Sequence, residues 1–306
     1  MSGMFFANGG GEANEGMVKL ARKYSFDRYG TGRATIITLN NSFHGRTITT
    51  LTATGQEVFH NYFFPFTEGF RYADANDLDS VKAQADDTTC AVMLELIQGE
   101  GGVLPLDKDF IQALAAWCQE NDYLLLVDEV QTGVGQTGSL FCFQQYDIQP
   151  DAVTFAKGIA GGLPMAGVMC SEKCRNVLGP GTHATTFGGN PIAAAGANVV
   201  LDELDDAMLA EVNQKGEYLK SAIAAFDSPY VDTVRGMGLM IGVALDREAA
   251  TLAGLLLKRN LVVLTAGETV LRLLPPLVIT REEADLGLER IAAGLEELDR
   301  LIKEEK

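Results

Sequence analysis

The 306-residue sequence is poor in the residues that most often bind metals or form disulfides. It contains three histidines and five cysteines, and no two cysteines form a Cys-x-x-Cys pair. The histidines are not spaced as ligand pairs either, which argues against a structural zinc site, and no metal is predicted. Scattered cysteines are typical of reduced thiols, so the sequence predicts a cytoplasmic protein. The cysteines are Cys90, Cys118, Cys142, Cys170 and Cys174.

Positive charge is also scarce, because 24 Lys and Arg face 41 Asp and Glu, for a net charge of −17. Such an acidic chain is not expected to bind nucleic acid or an anionic membrane. No apolar run is long enough to span a bilayer, and the first six residues lack the features of a signal peptide. With 47% hydrophobic residues, the chain has enough apolar material for a globular core.

Two short apolar runs end in residues with complementary chemistry. Residues 123–128 (Tyr-Leu-Leu-Leu-Val-Asp) end at Asp128, and residues 151–157 (Asp-Ala-Val-Thr-Phe-Ala-Lys) end at Lys157. Buried parallel strands have continuous apolar sequences, and ligands bind at their carboxyl ends. An amine and a carboxylate at neighbouring strand ends suit pyridoxal 5'-phosphate (PLP), because the amine reacts with its aldehyde and the carboxylate keeps the ring nitrogen protonated.

The order of predicted elements indicates a mainly parallel α/β fold with a smaller α+β domain after it. Strands and helices alternate up to about residue 204, and residues 205–306 form the predicted small C-terminal domain. Asp107 is predicted to cap a helix with Phe110, Ile111, Leu114 and Cys118 on one stripe. The strands of the first domain are predicted at residues 4–7, 34–39, 90–95, 123–128, 151–157 and 166–170. Those of the second are predicted at 231–235, 239–245, 261–263 and 269–274, with helices at 205–226 and from Arg281.

Each of these signals has a plainer interpretation when taken alone. The glycines at 9–11 precede a helix and could bind an anion, but a flexible turn is at least as good an explanation. Lys157 could be a solvated surface charge, and Asp128 with Glu129 could be a helix cap or a metal-binding pair. The Walker loop and the Gly-x-Gly-x-x-Gly motif are missing, which disfavours a nucleotide-binding dehydrogenase or NTPase.

The combination of motifs, in this order, resembles the class III PLP-dependent aminotransferases. The likeness spans essentially the whole chain and is strongest to the acetylornithine/succinylornithine branch. It implies the PLP-dependent transferase fold type I, with a seven-stranded type of sheet covered by helices on both faces. The motifs are Asn8-Gly-Gly-Gly-Glu-Ala-Asn-Glu, Phe43-His-Gly-Arg, Glu95-Leu-Ile-Gln-Gly-Glu-Gly-Gly, Asp128-Glu-Val-Gln-Thr-Gly, Phe155-Ala-Lys-Gly, Thr185-Thr-Phe-Gly-Gly-Asn-Pro and Arg272-Leu-Leu-Pro-Pro.

The resemblance implies a complete set of cofactor contacts. Lys157 would bond to the PLP aldehyde and then move a proton, while Asp128 would pair with the ring nitrogen. Gln131 would bind the ring hydroxyl, and Phe43 would stack on the ring. The phosphate would be held by Gly10, Gly11 and, from a partner subunit, Thr186, which implies a homodimer with shared active sites.

The resemblance also implies how substrates are held. Arg46 would bind a substrate carboxylate, and Thr185 is a further candidate for substrate binding. Glu100 and Arg272 match a switch: the paired arginine is masked for a basic substrate and released for the distal carboxylate of glutamate or 2-oxoglutarate. The expected reaction moves the terminal amino group of N2-acetyl-L-ornithine to 2-oxoglutarate, as in arginine biosynthesis. Succinylornithine, ornithine, 4-aminobutyrate and succinyldiaminopimelate remain alternative donors.

The sequence departs from the family pattern at several positions. Gly9 and Gly11 stand where the family usually has larger residues, which predicts a more flexible phosphate loop and weaker PLP binding. Leu96 replaces a usual proline, and Gln136 replaces a usual arginine, with an expected effect on local packing or the partner contact.

Family members also carry a region before the phosphate loop that forms one wall of the substrate pocket. A fragment, a natural short form and a gene model with a late start all explain why it is not in this sequence. An inactive truncated relative is therefore the alternative to a working enzyme.

Overall fold

The computed structural model describes residues 1–304 and divides the chain into two compact units. The larger unit comprises Met1–Leu96, Leu106–Val134 and Phe141–Asp205. The smaller unit comprises Ile97–Pro105, Gly135–Leu140 and the chain from Asp206 onward. Two short segments that precede residue 205 therefore belong to the smaller unit.

The strands are short, as expected for an α/β chain. They are β1 (Gly3–Ala7), β2 (Thr35–Leu39), β3 (Phe70–Ala73), β4 (Thr89–Leu94), β5 (Ile97–Gln98), β6 (Leu104–Pro105), β7 (Leu124–Asp128), β8 (Ala152–Phe155), β9 (Ala166–Cys170), β10 (Val231–Met237), β11 (Met240–Leu245), β12 (Leu264–Ala266) and β13 (Val270–Leu273). The helices are α1 (Gly10–Tyr29), α2 (Ile48–Ala53), α3 (Leu78–Ala83), α4 (Lys108–Glu120), α5 (Pro191–Glu203), α6 (Asp206–Ala224), α7 (Ala249–Lys258) and α8 (Arg281–Glu304).

The sheet of the larger unit has the order β1-β9-β8-β7-β4-β2-β3 within the described chain. Strands β8, β7, β4, β2 and β3 pair in parallel, and β9 is antiparallel to both of its neighbours. Every residue of β2, β4, β7, β8 and β9 is buried, which means that both faces of the sheet are covered. The prediction of a mainly parallel α/β fold is confirmed.

The long helix α1 covers one face of this sheet. Met17, Val18 and Leu20 of α1 are buried in one apolar cluster with strand residues such as Met93 and Leu126. These residues recur at helical spacing, so burial of that stripe explains why a segment beginning with three glycines becomes a 20-residue helix. The packing places the beginning of α1 at the edge of the sheet where β1 ends.

The smaller unit contains a four-stranded antiparallel sheet, β10-β11-β13-β12, with its own apolar core. Buried leucines and isoleucines of α6, α7 and α8 pack on buried residues of β11 and β13. The hairpin of β5 and β6 also belongs to this unit, and Arg235 of β10 donates to the carbonyl oxygens of Gly102 and Val103.

Two local predictions are wrong. The strand predicted at 261–263 lies instead at Leu264–Ala266, because the Leu261 N–H donates to the Leu256 carbonyl and closes the end of α7. Asp107 occupies the position that begins α4, but within the described residues its side chain makes no capping hydrogen bond. The apolar stripe expected for that helix is correct, because its four residues are buried.

Candidate active site

Five loops of the larger unit meet at one edge of its sheet. The parallel strands β2, β4, β7 and β8 end there, and the antiparallel pairing of β1 with β9 brings the end of β1 to the same edge. The residue pairing Asp128 with Thr154 shows that β7 and β8 end side by side. Asp128 is the last residue of β7, and the segments that follow the other four strands carry Gly10, Phe43, Glu95 and Lys157.

Asp128 is buried at the end of β7 and accepts hydrogen bonds from three other elements. Its Oδ2 atom accepts from Nδ2 of Asn14 at 2.7 Å and from Nδ1 of His44 at 2.8 Å. Its Oδ1 atom accepts from the backbone N–H of Val130 at 3.0 Å, and the Thr154 hydroxyl lies 3.3 Å away. These donors hold the carboxylate in one orientation.

The glycine loop opens α1 directly against the Asp128 turn. A Cβ atom on Gly10 would lie 2.7 Å from Cγ1 of Val130, so only glycine allows this approach. A Cβ on Gly11 would make ordinary contacts, the nearest at 3.6 Å from Thr47. The first hydrogen bond of the helix joins the Ala13 N–H to the Gly9 carbonyl, so the preceding N–H groups are available to an anion.

The loop after β2 packs on this helix start. The Phe43 N–H donates to Oε1 of the buried Glu95 at 2.8 Å, which ties the end of β2 to the end of β4. The Arg46 guanidinium lies over the rings of Phe43 and Phe59, at 5.3 and 4.5 Å from their centroids. Arg46 is exposed and Phe43 is half-buried, so these cation–π contacts hold a charged group beside the predicted ring-stacking residue.

Lys157 begins a short 3₁₀ turn, Lys157–Ala160, after β8. Its φ angle is +51°, an uncommon left-handed conformation for a lysine and one that tends to occur at functional sites. Its place at the end of an apolar run predicts apolar surroundings for this amine. In the single chain Lys157 is exposed, although Ala156 and Ile159 beside it are buried. Gln131 lies half-buried in the turn that follows Asp128.

Thr185 and Thr186 have different surroundings. The Thr185 hydroxyl donates to Oε1 of Glu12 at 2.6 Å and accepts from Nδ2 of Asn8 at 3.1 Å, which ties its loop to the glycine loop. Burial acts to raise the pKa of Glu12, but the hydrogen bonds from Thr185 and Asn8 outweigh it and lower that pKa. Thr186 is exposed beside Phe187, whose side chain is 70% exposed.

The remaining predicted pair lies within the smaller unit. Glu100 is in the turn between β5 and β6, and its Oε1 accepts from Nη1 of Arg272 on β13 at 2.7 Å. The Arg272 side chain is 6% exposed and that of Glu100 is 33% exposed, so the carboxylate is the partner with room to move. In the same unit, Nε2 of Gln136 donates to the Leu239 carbonyl at 2.9 Å, in line with the local packing role expected for it.

Several polar residues of the larger unit were quoted in motifs but given no role. Asn14, His44 and Glu95 are buried and bond to predicted site residues, as described above. Glu129 is also buried and accepts from the backbone N–H groups of Cys142 and Phe143. Burial raises the pKa of Glu129 to about 7 despite these donors. For Glu95 and Glu129 the sequence offered one signal, a carboxylate directly after a buried strand. Asn14 and His44 lie in polar, glycine-containing segments, so only the tertiary structure shows that they are buried.

The residues of the larger unit fit PLP in three respects. A buried, fully oriented carboxylate suits a protonated ring nitrogen, a glycine-lined helix start suits a phosphate, and Lys157 supplies an amine one strand away from Asp128. No group of three or more His, Cys, Asp or Glu is arranged to hold a metal ion within residues 1–304. The five cysteines are free and buried.

No helix among the described residues has the length and apolar character needed to cross a membrane.

Comparison with known proteins agrees with this chemistry. The family described as aminotransferase class-III matches residues 2–295. The chain is 49% identical to an acetylornithine aminotransferase of Haemophilus ducreyi, over 96% of this chain and 75% of that protein. It is 42% identical to a succinylornithine transaminase of Citrobacter koseri, over 96% and 74%.

A solved structure has the same fold. The ornithine aminotransferase of Toxoplasma gondii superposes with a TM-score of 0.91 at 31% identity, over 97% of this chain and 73% of that chain. The match over nearly the whole sequence confirms both the resemblance and the predicted PLP-dependent transferase fold. The chain belongs to the class III aminotransferase family, whose members are PLP-dependent.

Proposed function

We propose that this protein transfers the terminal amino group of N2-acetyl-L-ornithine to 2-oxoglutarate, a step of arginine biosynthesis. The observation that carries the proposal is the placement of the oriented Asp128 carboxylate and the Lys157 amine at the ends of adjacent strands. The similarity to the Haemophilus acetylornithine enzyme favours this donor. Succinylornithine is the second candidate, because a transaminase named for it is nearly as similar.

When bound, PLP supplies an aldehyde that exchanges amino groups and a ring that accepts the electron pair left on the substrate carbon. Asp128 keeps the proton on the ring nitrogen, because its buried negative charge favours a cation beside it. The N–H groups of Gly10 and Gly11, together with the positive end of α1, hold the phosphate. Gln131 binds the ring hydroxyl and Phe43 stacks on the ring. These roles support residues 1–204 as the PLP-binding domain, as the sequence-based division predicts.

Lys157 is proposed as the catalytic residue that takes up and returns the proton on the substrate carbon. A general base must reach the carbon whose proton it removes, and Lys157 begins a turn immediately after the strand beside Asp128. The amine can take up a proton only in its neutral form, which burial favours. Lys157 is exposed in the single chain, and a second subunit that covers it would provide the burial.

Substrate carboxylates are proposed to bind to arginines. Arg46, held over Phe43, presents an exposed guanidinium for one carboxylate, and Thr185 is a further polar group in the same unit. Arg272 binds the distal carboxylate of glutamate or 2-oxoglutarate when Glu100 swings away. The pair thereby lets one protein accept both a long basic donor and a diacid.

We also propose a cytoplasmic homodimer in which Thr186 contacts the phosphate bound by the partner. Thr186 is exposed, and the neighbouring side chains of Phe187 and Ile192 are 70% and 72% exposed. Large apolar side chains with this much exposure are consistent with a surface that a partner covers.

The half-reaction with glutamate tests the proposed function. Addition of PLP to the purified protein is expected to give the visible absorption band of PLP bound through a lysine, and glutamate should abolish it. Lys157→Ala is the control: it should keep the circular dichroism spectrum but lose the band and all turnover. A wild-type protein without the band, or turnover in the Lys157→Ala variant, would contradict the assignment.

The donor is tested by comparing kcat/KM for acetylornithine, succinylornithine and ornithine with the same 2-oxoglutarate. Acetylornithine is expected to give the highest value. A higher value for succinylornithine would assign the protein to the second candidate.

The shared site is tested by mixing two inactive chains. Lys157→Ala and Thr186→Ala homodimers each lack one contributor in both sites, whereas a mixed dimer contains one site with both residues intact. Tight PLP binding should therefore return to one of the two sites in each mixed dimer. No recovery in dimers shown to be mixed would argue against a contribution from Thr186 across the interface.

A further inference from the structure

The two oxygens of Asp128 have different surroundings. Oδ2 accepts from Asn14 and His44 at 2.7 and 2.8 Å, which fills both of its lone-pair positions. Oδ1 accepts from the Val130 N–H at 3.0 Å. The single hydroxyl proton of Thr154 has a closer acceptor in Oδ1 of Asn14, at 2.9 Å rather than 3.3 Å. Oδ1 of Asp128 therefore keeps the capacity to accept one more strong hydrogen bond.

His44 is held as firmly as the carboxylate that it contacts. It is 1% exposed, its N–H donates to Oγ1 of Thr54 at 2.9 Å, and its carbonyl accepts from Asn14 at 2.7 Å. Both hydrogens of the Asn14 amide are used, one on His44 and one on Asp128. These contacts fix the backbone of His44, and the Nδ1 bond at 2.8 Å holds its imidazole against Asp128.

The contact between His44 and Asp128 uses one nitrogen of the ring. Nδ1 donates to Oδ2 of the carboxylate at 2.8 Å, since a carboxylate oxygen accepts. Nε2 is buried and has no hydrogen-bond partner among residues 1–304, so the Nδ1 bond is the polar contact that ties the ring to the site.

We propose that His44 is a positioning residue that orients the Asp128 carboxylate for the cofactor's ring nitrogen. The Nδ1 donor of His44 fixes Oδ2, which leaves Oδ1 available to the cofactor. The inference rests on the proposed role of Asp128 in binding PLP. It assigns to the histidine of the Phe43-His-Gly-Arg motif a function that the motif alone does not reveal.

A pair of substitutions of equal shape separates this role from simple packing. His44→Asn keeps an N–H donor at the position of Nδ1, whereas His44→Leu has nearly the same shape and no donor. Both variants leave a similar gap where the rest of the ring was, so a packing defect should affect them equally. Thr54→Val, which removes the acceptor for the backbone N–H of His44, is a milder third variant that loosens the backbone carrying the ring.

The measurement is the dissociation constant of two probes, PLP and the analogue in which a C–H group replaces the ring nitrogen. Thermal unfolding without either probe reports folding separately. His44→Leu is expected to weaken PLP about 10- to 100-fold and the analogue less than about threefold, because the lost hydrogen bond acts on the nitrogen contact. His44→Asn should keep both constants within about threefold of the wild type, and Thr54→Val should weaken PLP selectively by a few-fold.

Each outcome bears on the inference. Selective loss of PLP affinity in the Leu variant, restored in the Asn variant, supports it. Equal weakening of PLP by both variants, or equal weakening of PLP and the analogue by Leu, overturns it in favour of packing. If His44→Leu does not fold, non-selective behaviour of Thr54→Val overturns it. A wild-type protein that binds the two probes equally instead removes the proposed role of Asp128 itself.

Discussion

A methyl group added at Gly10 is expected to destabilise the protein, whereas the same group at Gly11 is expected to stabilise it. The added carbon at Gly10 would lie 2.7 Å from Cγ1 and 3.1 Å from Cγ2 of Val130. Carbon atoms normally approach to roughly 3.5–4.0 Å. Val130 is β-branched and stiff, and its N–H is hydrogen-bonded to Asp128, so it has little freedom to move away.

The magnitude follows from these contacts. Overpacking of this kind costs about 1–3 kcal/mol. At Gly11 the nearest atom to the added carbon is 3.6 Å away, so Gly11→Ala should gain about 0.5–1 kcal/mol from the lower flexibility of the unfolded chain. The two variants should therefore differ by roughly 1.5–4 kcal/mol, or about 2–6 °C in Tm for a chain of this length.

Thermal unfolding of the cofactor-free protein measures this difference. Val130→Ala removes both methyl groups and provides the control, because Gly10→Ala should cost about 1–2 kcal/mol less in that background. PLP affinity should fall in Gly10→Ala, since displacement of Val130 disturbs a donor to Asp128, and persist in Gly11→Ala. Equal Tm values for the two glycine variants, or no rescue by Val130→Ala, would refute the reasoning.

Two further predictions concern carboxylates. Glu129 has a folded pKa of about 7, above its ordinary value, so the folded state holds this proton more tightly than the unfolded state. The wild type should therefore lose stability relative to Glu129→Gln as pH rises from about 4.5 to 7, by a few kcal/mol in total, at about 1.4 kcal/mol per pKa unit. Above pH 7 the difference in unfolding free energy should stay constant. Urea unfolding at several pH values measures this difference, and a pH-independent difference would contradict the prediction. Glu100→Ala removes a partner of the largely buried Arg272. The ratio of kcat/KM for acetylornithine to kcat/KM for glutamate should fall about tenfold, while PLP affinity stays unchanged. An unaltered ratio in steady-state kinetics would count against the switch.

Local sequence patterns were sufficient for most elements of the sheet and for the location of the site. Strands β4, β7 and β8 follow from continuous apolar runs, because a strand buried on both faces must be apolar at every position. Their carboxyl ends then had to carry the site in a parallel sheet. The strand predicted at 261–263 was wrong, because an apolar run does not reveal whether its N–H groups bond to a neighbouring strand or to the last turn of a helix.

The order of the strands and the contacts between distant residues were decided by the tertiary structure. Asn14 and His44 are 30 positions apart, and His44 and Asp128 are 84 apart, so no local period relates them. They meet because α1 packs across the sheet and the loop after β2 turns back onto it. The sequence by itself determined which residues are proposed to carry the chemistry, through their types and their places at strand ends. Long-range packing alone decided which of the buried polar residues orient them, because hydrogen-bond partners depend on spatial neighbours that sequence spacing does not encode.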